Sequence, residues 1–480
     1  MRVLKGLDPA GVWFWFEEIC SIPRPSGHEE RIADFLVGFA GDRSLDWSRD
    51  AQNNVLIRKP GHGPAADNPA LALQAHVDIV PEKSSVSDHQ FATDPIIPVI
   101  RNDWVTAPET TLGADNGIGV ALMLAVLDSQ DISHPRLECI FTTDEERGLT
   151  GAAALDPEWI TAGRLINLDS EDEGTFTTGC AGGTDCRLRM PMRISGEALC
   201  RRLRVTGLRG GHSGIEINRD RGNAIRFLAR ALSGISENAE VTLGSMRGGS
   251  KRNAIPREAE ALVRFPPEKT GNVRDALAAV RSRLRAEYAG IEDELDLTLD
   301  EETVRCSLLD AEAGGRAVDL LLALPHGVEK MSGVIDGLVE TSVNLALLSM
   351  EGSELLVELT IRSPLESARN ALGNRIAAAG RLAGAEFSSG GSYPGWMPDP
   401  DSDMLRKMTS IYRGLFGKDP LVESIHAGLE CGIIGDRAGG LDMISIGPDI
   451  RDVHVPGERV SIPSLQRFWK FFRSVLEDLD

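Results

Sequence analysis

Three strand-like runs in this chain end in residues that bind metals and move protons. They are Leu71-Ala-Leu-Gln-Ala-His76-Val-Asp78, Leu137-Glu-Cys-Ile-Phe-Thr-Thr-Asp-Glu145-Glu146 and Arg164-Leu-Ile-Asn-Leu-Asp169. A strand that only needs to turn ends in Gly, Asn or Pro. Here imidazole and carboxylate groups stand at the ends instead. They converge if the strands share the carboxyl edge of one sheet, where open α/β sheets hold their ligands. The chemistry such a set supports is metal-assisted hydrolysis.

His76 and Asp78 are two apart on a strand, so both side chains point to one side. A zinc-binding imidazole usually donates its second ring N–H to a carboxylate, which fixes its tautomer and direction. His76 then reads as a ligand and Asp78 as the group that orients it. Asp115, in Thr110-Thr-Leu-Gly-Ala-Asp115-Asn-Gly-Ile-Gly119, sits in a glycine-containing turn before a helix. Alone it would read as a helix cap; beside the other motifs it reads as a carboxylate bridging two ions. Of the adjacent Glu145 and Glu146, one can bind metal while the other stays free as a proton shuttle, because a general base must not be consumed as a ligand. Asp169 is a terminal ligand, and the acids after it (Glu171, Asp172, Glu173) are expected to face solvent. The last ligand should be a His from the carboxyl-terminal segment, His454 with His426 as the competing candidate. The set is then His76, Asp115 and Asp169 on one ion, and His454, Glu146 and the shared Asp115 on the other. Mixed N/O ligation without cysteine suits two Zn2+, and Co2+ or Mn2+ could occupy the same site.

The elements that must position these groups alternate in type. Residues 12–20 and 29–40 have helical spacing, and 117–127 reads as a helix between the first two ligand-bearing strands. Such alternation predicts a mostly parallel central sheet covered by helices. From Cys186 the strands alternate polar and apolar residues (186–194, 203–205, 259–265, 295–299, then 338–350 and 354–361). Helical stretches at 223–232, 273–288 and 365–382 are interspersed. This predicts an inserted α+β domain with ferredoxin-like element order, compatible with a doubled unit. After Gly390 the α/β texture returns, with a strand at 441–446 and a closing helix at 465–476. The expected partition is 1–184 and 391–480 for one α/β domain and 185–390 for the insertion.

Composition narrows the class. At 480 residues with 42% hydrophobic and 26% charged residues, the chain reads as soluble, globular and multidomain. A formal charge of −21 argues against a nucleic-acid partner. No apolar run approaches the ~20 residues that span a bilayer, so no membrane partner is expected. Seven cysteines without a CxxC pair fit reduced thiols in a cytoplasmic protein. No Gly-x-Gly-x-x-Gly turn follows the first strand, which argues against a dinucleotide site.

Gln74-Ala-His-Val-Asp78, Thr111-Leu-Gly-Ala-Asp-Asn-Gly-Ile-Gly119, Asp144-Glu-Glu146 and Leu168-Asp-Ser-Glu171 resemble the dizinc peptidase family of aminoacylases, carboxypeptidases and desuccinylases. Further motifs extend the likeness nearly end to end and favour its aminoacyl-histidine (Xaa-His) dipeptidase branch. These include Gly207-Leu-Arg-Gly-Gly-His-Ser-Gly214, Arg252-Asn-Ala-Ile-Pro-Arg-Glu258, Tyr393-Pro-Gly-Trp396 and His426-Ala-Gly-Leu-Glu-Cys-Gly432.

The resemblance implies a zinc-peptidase-like catalytic domain with an inserted lid, and ligands at His76, Asp115, Glu146, Asp169 and His454. It makes Glu145 the general base, Asp78 the residue that sets His76, and the Asp115–Asn116 bond cis. It assigns His212 to polarising the scissile carbonyl, and Asn253, Arg362, Gly428 and Glu430 to the substrate. The family's last motif commonly reads His-Ser-Pro-x-Glu, whereas this chain has His454-Val-Pro-Gly-Glu458. The implied activity is hydrolysis of dipeptides with a free carboxyl terminus, Xaa-His and β-Ala-His preferred, by a protein compatible with a homodimer. The alternatives are an N-acyl amino acid deacylase, a broader dipeptidase, or a non-catalytic binding protein that keeps the fold.

Overall fold

The computed structural model describes residues 2–333 and 335–480. The chain divides into two compact units. The first runs to Cys180 and resumes at Trp396–Ser424 and Leu429–Asp480, and the second comprises Ala181–Gly395 and Ile425–Gly428.

The first unit is built on an eight-stranded sheet. At its centre Leu137–Thr142, Leu71–His76, Arg164–Asn167 and Asp442–Ser445 lie side by side in that order. All three pairings among them are parallel. The three ligand-bearing strands are therefore immediate neighbours, with their carboxyl ends on one edge. The pairings that adjoin this core are antiparallel, between Val55–Lys59 and Leu137–Thr142 on one side and between Asp442–Ser445 and Thr175–Cys180 on the other, so the sheet is mixed, with a parallel core. Every residue of Leu71–His76 and Leu137–Thr142 is buried, as expected of strands covered on both faces.

The cover comes from helices that the sequence makes apolar. Ala114–Asp128 is buried along almost its whole length and packs against Ala10–Cys20, whose Val12, Trp13, Phe16 and Ile19 are inside. The closing helix Ile462–Asp478 begins with the Ser461 side chain accepting the Ser464 N–H. It buries Phe468, Phe471 and Phe472, and Phe471 stacks on Phe176 at 5.4 Å between ring centroids. Truncating such a ring to Ala costs about 3–5 kcal/mol.

A small four-stranded sheet matters for the site. In it Arg459–Ser461 pairs antiparallel with Trp104–Thr106, placing Arg459 opposite Thr106. The loop carrying His454 is thereby anchored beside the turn carrying Asp115.

The second unit holds a nine-stranded sheet whose described pairings are all antiparallel. Alternating burial along Ala259–Arg264 reflects one face packed and one turned outward. Helices Ala224–Ser236, Thr270–Glu287, Ala311–Ala323 and Glu366–Ala383 contribute their apolar faces to the same core. The combination is the α+β insertion expected from the sequence, in one continuous sheet.

Candidate metal centre and catalytic residues

The parallel register brings the strand exits together, with His76 opposite Thr142 and Gln74 opposite Asn167. His76 Nε2 lies 3.0 Å from Asp115 Oδ1 and 3.3 Å from Asp169 Oδ1. His454 Nε2 lies 3.1 Å from Asp115 Oδ2 and 3.0 Å from Glu146 Oε1. Two triads result, His76–Asp115–Asp169 and Asp115–Glu146–His454, each with its ligand atoms within 4.8 Å of one another. Asp115 is common to both and turns one oxygen to each.

The donor set fits a pair of divalent cations. Glu146 Oε1 and Asp169 Oδ1 are buried without a hydrogen-bond partner although an imidazole nitrogen is close to each. Lone pairs left unused by the protein in this way are available to a cation. Burial opposes charge on Asp115, but hydrogen bonds to His454 and His76 hold its carboxyl well below the usual range. Asp169 is pushed up to about 6 by burial, against the pull of His76 and with the charges of Asp115 and Glu146. Its hydrogen bond with Asp115 and the nearby Glu146 carboxylate raise His454 to about 11.

Asp78 lies beneath His76, with Oδ1 3.4 Å from His76 Nδ1. It also accepts the backbone N–H of Glu145 at 3.1 Å and of Glu146 at 3.3 Å, and the Ser26 hydroxyl at 2.7 Å. One buried carboxylate thus serves the first ligand and the start of the helical turn Glu145–Gly148. Glu145 lies within the group formed with His76 and Glu146. Burial first, then the charges of Asp169, Glu146 and Glu430, raise its carboxyl well above the ordinary value despite the opposing charge on His76. Asp144, just before it, takes a left-handed backbone with φ of 52°, and His454 does so with φ of 62°. For non-glycine residues such conformations cluster at functional sites.

The Asp115–Asn116 peptide bond is cis. The turn before it is gripped from two sides by Glu458, which the sequence offered only as the last residue of the His454 motif, and by Arg24, to which sequence reasoning gave no role. Glu458 accepts the N–H groups of Leu112, Gly113, Ala114 and Asp115 at 2.7–3.1 Å. Arg24 donates to the carbonyls of Gly113 at 2.8 Å and Val77 at 2.7 Å. Gly113 has φ of 67°, and a Cβ there would stand 2.8 Å from Arg24 Nη2, so only glycine suits both backbone and neighbour.

Glu430 is fully buried and accepts from Gln74 at 2.6 Å and Thr142 at 2.7 Å. Burial, with the charges of Asp169 and Asp78, lifts its carboxyl to about 8 against the pull of His76 and Thr142. The chain continues from Gln74 to Asn167 at 2.6 Å and from Asn167 to Ser445, lacing the central strands just below the ligands. Glu171 departs from expectation. It is half-buried rather than solvent-facing, and burial with the charges of Asp115 and Asp169 raises it to about 8.

The remaining predicted residues belong to the second unit. His212 lies on the two-residue strand Gly211–His212, paired with Ala254 next to Asn253. Its Nδ1 accepts the N–H groups of Gly214 and Ile215, both at 3.2 Å. The ring proton therefore sits on Nε2, leaving that nitrogen a donor. Burial and then the nearby charge of Arg362 depress its pKa, so the ring stays neutral. A Cβ on Gly214 would approach the His212 ring to 3.0 Å. Arg362 is 7% exposed and donates to the Tyr393 hydroxyl at 3.1 Å. Its Nε has no hydrogen-bond partner, and no carboxylate pairs with it among the described residues. Gly428 faces the Tyr393 ring, where a Cβ would come within 3.0 Å. His426, the competing ligand candidate, is in this unit too, with Nε2 2.7 Å from Ser342 Oγ.

Comparison with known proteins identifies the family. Residues 54–178 match the description of Peptidase family M28, and residues 203–292 match a peptidase dimerisation domain. Cytosol non-specific dipeptidase from Escherichia coli (strain K12) is 39% identical over 484 residues, covering 100% of this chain and 99% of that protein. The crystal structure of aminoacylhistidine dipeptidase from Vibrio alginolyticus superposes with a TM-score of 0.89 at 40% identity, covering 99% of this chain and 97% of that one. Aminopeptidase PepT from Bacillus cereus ATCC 10987 shares the fold at a TM-score of 0.58 and 15% identity, with 98% and 99% of the chains covered. The chain belongs to the cytosol non-specific dipeptidase family of metallopeptidases.

Proposed function

We propose that this protein is a dinuclear zinc dipeptidase that hydrolyses dipeptides with a free carboxyl terminus, Xaa-His among them. The observation that carries the reading is the pair of ligand triads sharing Asp115, with a further carboxyl, Glu145, beside them. Its site residues are His76, Asp115 and Asp169 for one cation and Asp115, Glu146 and His454 for the other. Bound there, two divalent cations supply Lewis-acid activation of water and of the scissile carbonyl. Glu145 takes the proton of the attacking water and passes it to the leaving amine. Its raised pKa suits a group that must hold that proton between the two events.

His212, neutral and with its proton on Nε2, donates to the carbonyl oxygen as negative charge develops. Arg362, without a protein carboxylate of its own among the described residues, suits the free carboxylate of the substrate. Asn253 and Gly428 complete the proposed substrate contacts, whereas Glu430, fully buried and bonded to Gln74 and Thr142, supports the ligand-bearing strands from below. The names of the full-length relatives support dipeptides as the substrate class and the cytosol as the compartment. No helix among the described residues is long and apolar enough to cross a membrane. The match to a dimerisation domain supports a homodimer.

A panel of β-Ala-His, other Xaa-His dipeptides and acetylated amino acids on protein loaded with zinc or manganese tests the reading. Hydrolysis of the dipeptides is expected, and turnover confined to the acetylated amino acids would replace it with a deacylase.

A further inference from the structure

We propose that Glu458 is a positioning residue that fixes the Asp115 turn against His454, so that the shared ligand and the last ligand are set as one unit. This inference rests on the metallopeptidase reading of the site. Glu458 is 2% exposed, and its two oxygens take four consecutive backbone N–H groups. Oε2 receives those of Leu112 and Gly113, and Oε1 those of Ala114 and Asp115. A carboxylate offers about four lone-pair sites, so this one is filled by the turn and is a clamp rather than a ligand. It belongs to neither ligand triad.

The clamp reaches His454 through a short, restrained loop. Only Val455, Pro456 and Gly457 separate the two residues. The Gly457 N–H bonds to the carbonyls of Ala107 and Thr110, both at 3.2 Å, and Thr106 Oγ1 donates to the Glu458 carbonyl at 2.8 Å. Arg24, also 2% exposed, grips the same turn by its Gly113 carbonyl and ties it to Val77, next to His76. A buried guanidinium on the carbonyl side and a buried carboxyl group on the N–H side thus bracket the turn. Three ligand-bearing segments that meet in no local stretch of sequence are held in register before any cation arrives.

The test compares wild type with Glu458→Gln and Glu458→Asp. In metal-free wild type the amides of Leu112, Gly113, Ala114 and Asp115 should exchange slowly with solvent. In Glu458→Gln, whose amide group repels two of the N–H donors, they should exchange faster. Affinity for zinc, read by calorimetric titration of the metal-free protein, should fall by about tenfold or more. At saturating metal the KM should stay near the wild-type value while kcat recovers, and Glu458→Asp, which keeps the charge, should regain part of the affinity. Fast exchange of the four amides in wild type overturns the proposal, as does unchanged zinc affinity in a folded Glu458→Gln. If that variant does not fold, wild-type exchange and Glu458→Asp decide. A wild type that binds no pair of cations would overturn the proposed function, while the amide exchange would still report on the clamp.

Discussion

The carboxylate of Asp78 accepts the backbone N–H of Glu145 at 3.1 Å. The residue that faces His76 Nδ1 therefore also fixes the start of the turn that carries the base and the ligand Glu146. Groups that orient a metal ligand from behind typically contribute 10–100-fold to affinity or activity. Asp78→Asn keeps the volume but removes the charge and one acceptor. It should weaken zinc binding by about 10–100-fold and lower kcat even at saturating zinc, because Glu145 loses its anchor. Metal titration followed by kinetics at saturating metal checks both, and full recovery of kcat by added zinc would leave Asp78 with a ligand-orienting role only.

Glu145 and Glu146 are adjacent in the chain but differ in task. Glu145→Gln should retain two cations per chain by elemental analysis and lose turnover by about 10²–10⁴-fold, the usual contribution of a positioned acid–base group. Glu146→Gln should instead lose metal, because Glu146 pairs with His454 in one triad. Comparable metal loss in the two variants would remove the distinction.

His212 works in this reading only as a neutral imidazole, and Arg362 helps to keep it so. Burial and the Arg362 charge place its pKa below 6.5, so the donor form persists as pH falls below that value. Replacing Arg362 by Met removes the cation and lets the His212 pKa rise. The acid limb of the kcat profile should then move to higher pH, and KM should increase for substrates with a free carboxylate. A profile and KM that match wild type would exclude Arg362 from both roles.

Much of the centre is readable in the sequence because a strand fixes the direction of its last side chain. His76, Asp169 and the Glu145–Glu146 pair follow apolar runs too regular to be anything but strands, and parallel pairing carries them to one edge. Glu458 is different. Its partners lie 343–346 residues away and are backbone N–H groups, which have no residue identity to recognise. Glu171 and Glu173 mislead for a related reason, since an acidic run looks solvated until the fold turns some of its members inward. The strand Ile194–Thr206 is longer than its sequence suggests because the first part pairs with Asp296–Leu309 while staying largely exposed. Exposed strand residues need no apolar alternation and leave no pattern.

Removing metal should destabilise the protein increasingly as pH rises. In the metal-free protein Asp169 has a folded-state pKa of about 6, above its ordinary 3.8. An acid raised in this way costs stability progressively as pH climbs from the unfolded value through the folded one. His454, raised to about 11 from 6.5, stabilises the metal-free fold fully below about 6.5 and progressively less as pH rises toward its folded value. Both effects have the same sign, and cations replace the protons responsible for them. The gap in Tm between zinc-loaded and chelated protein should therefore widen from pH 6 to about pH 8.5. Calorimetric zinc titrations in buffers of different ionisation enthalpy should also show protons released on binding. A gap that narrows with rising pH, or binding without proton release, would mean that the acids and imidazoles at Asp115 do not exchange their protons for metal.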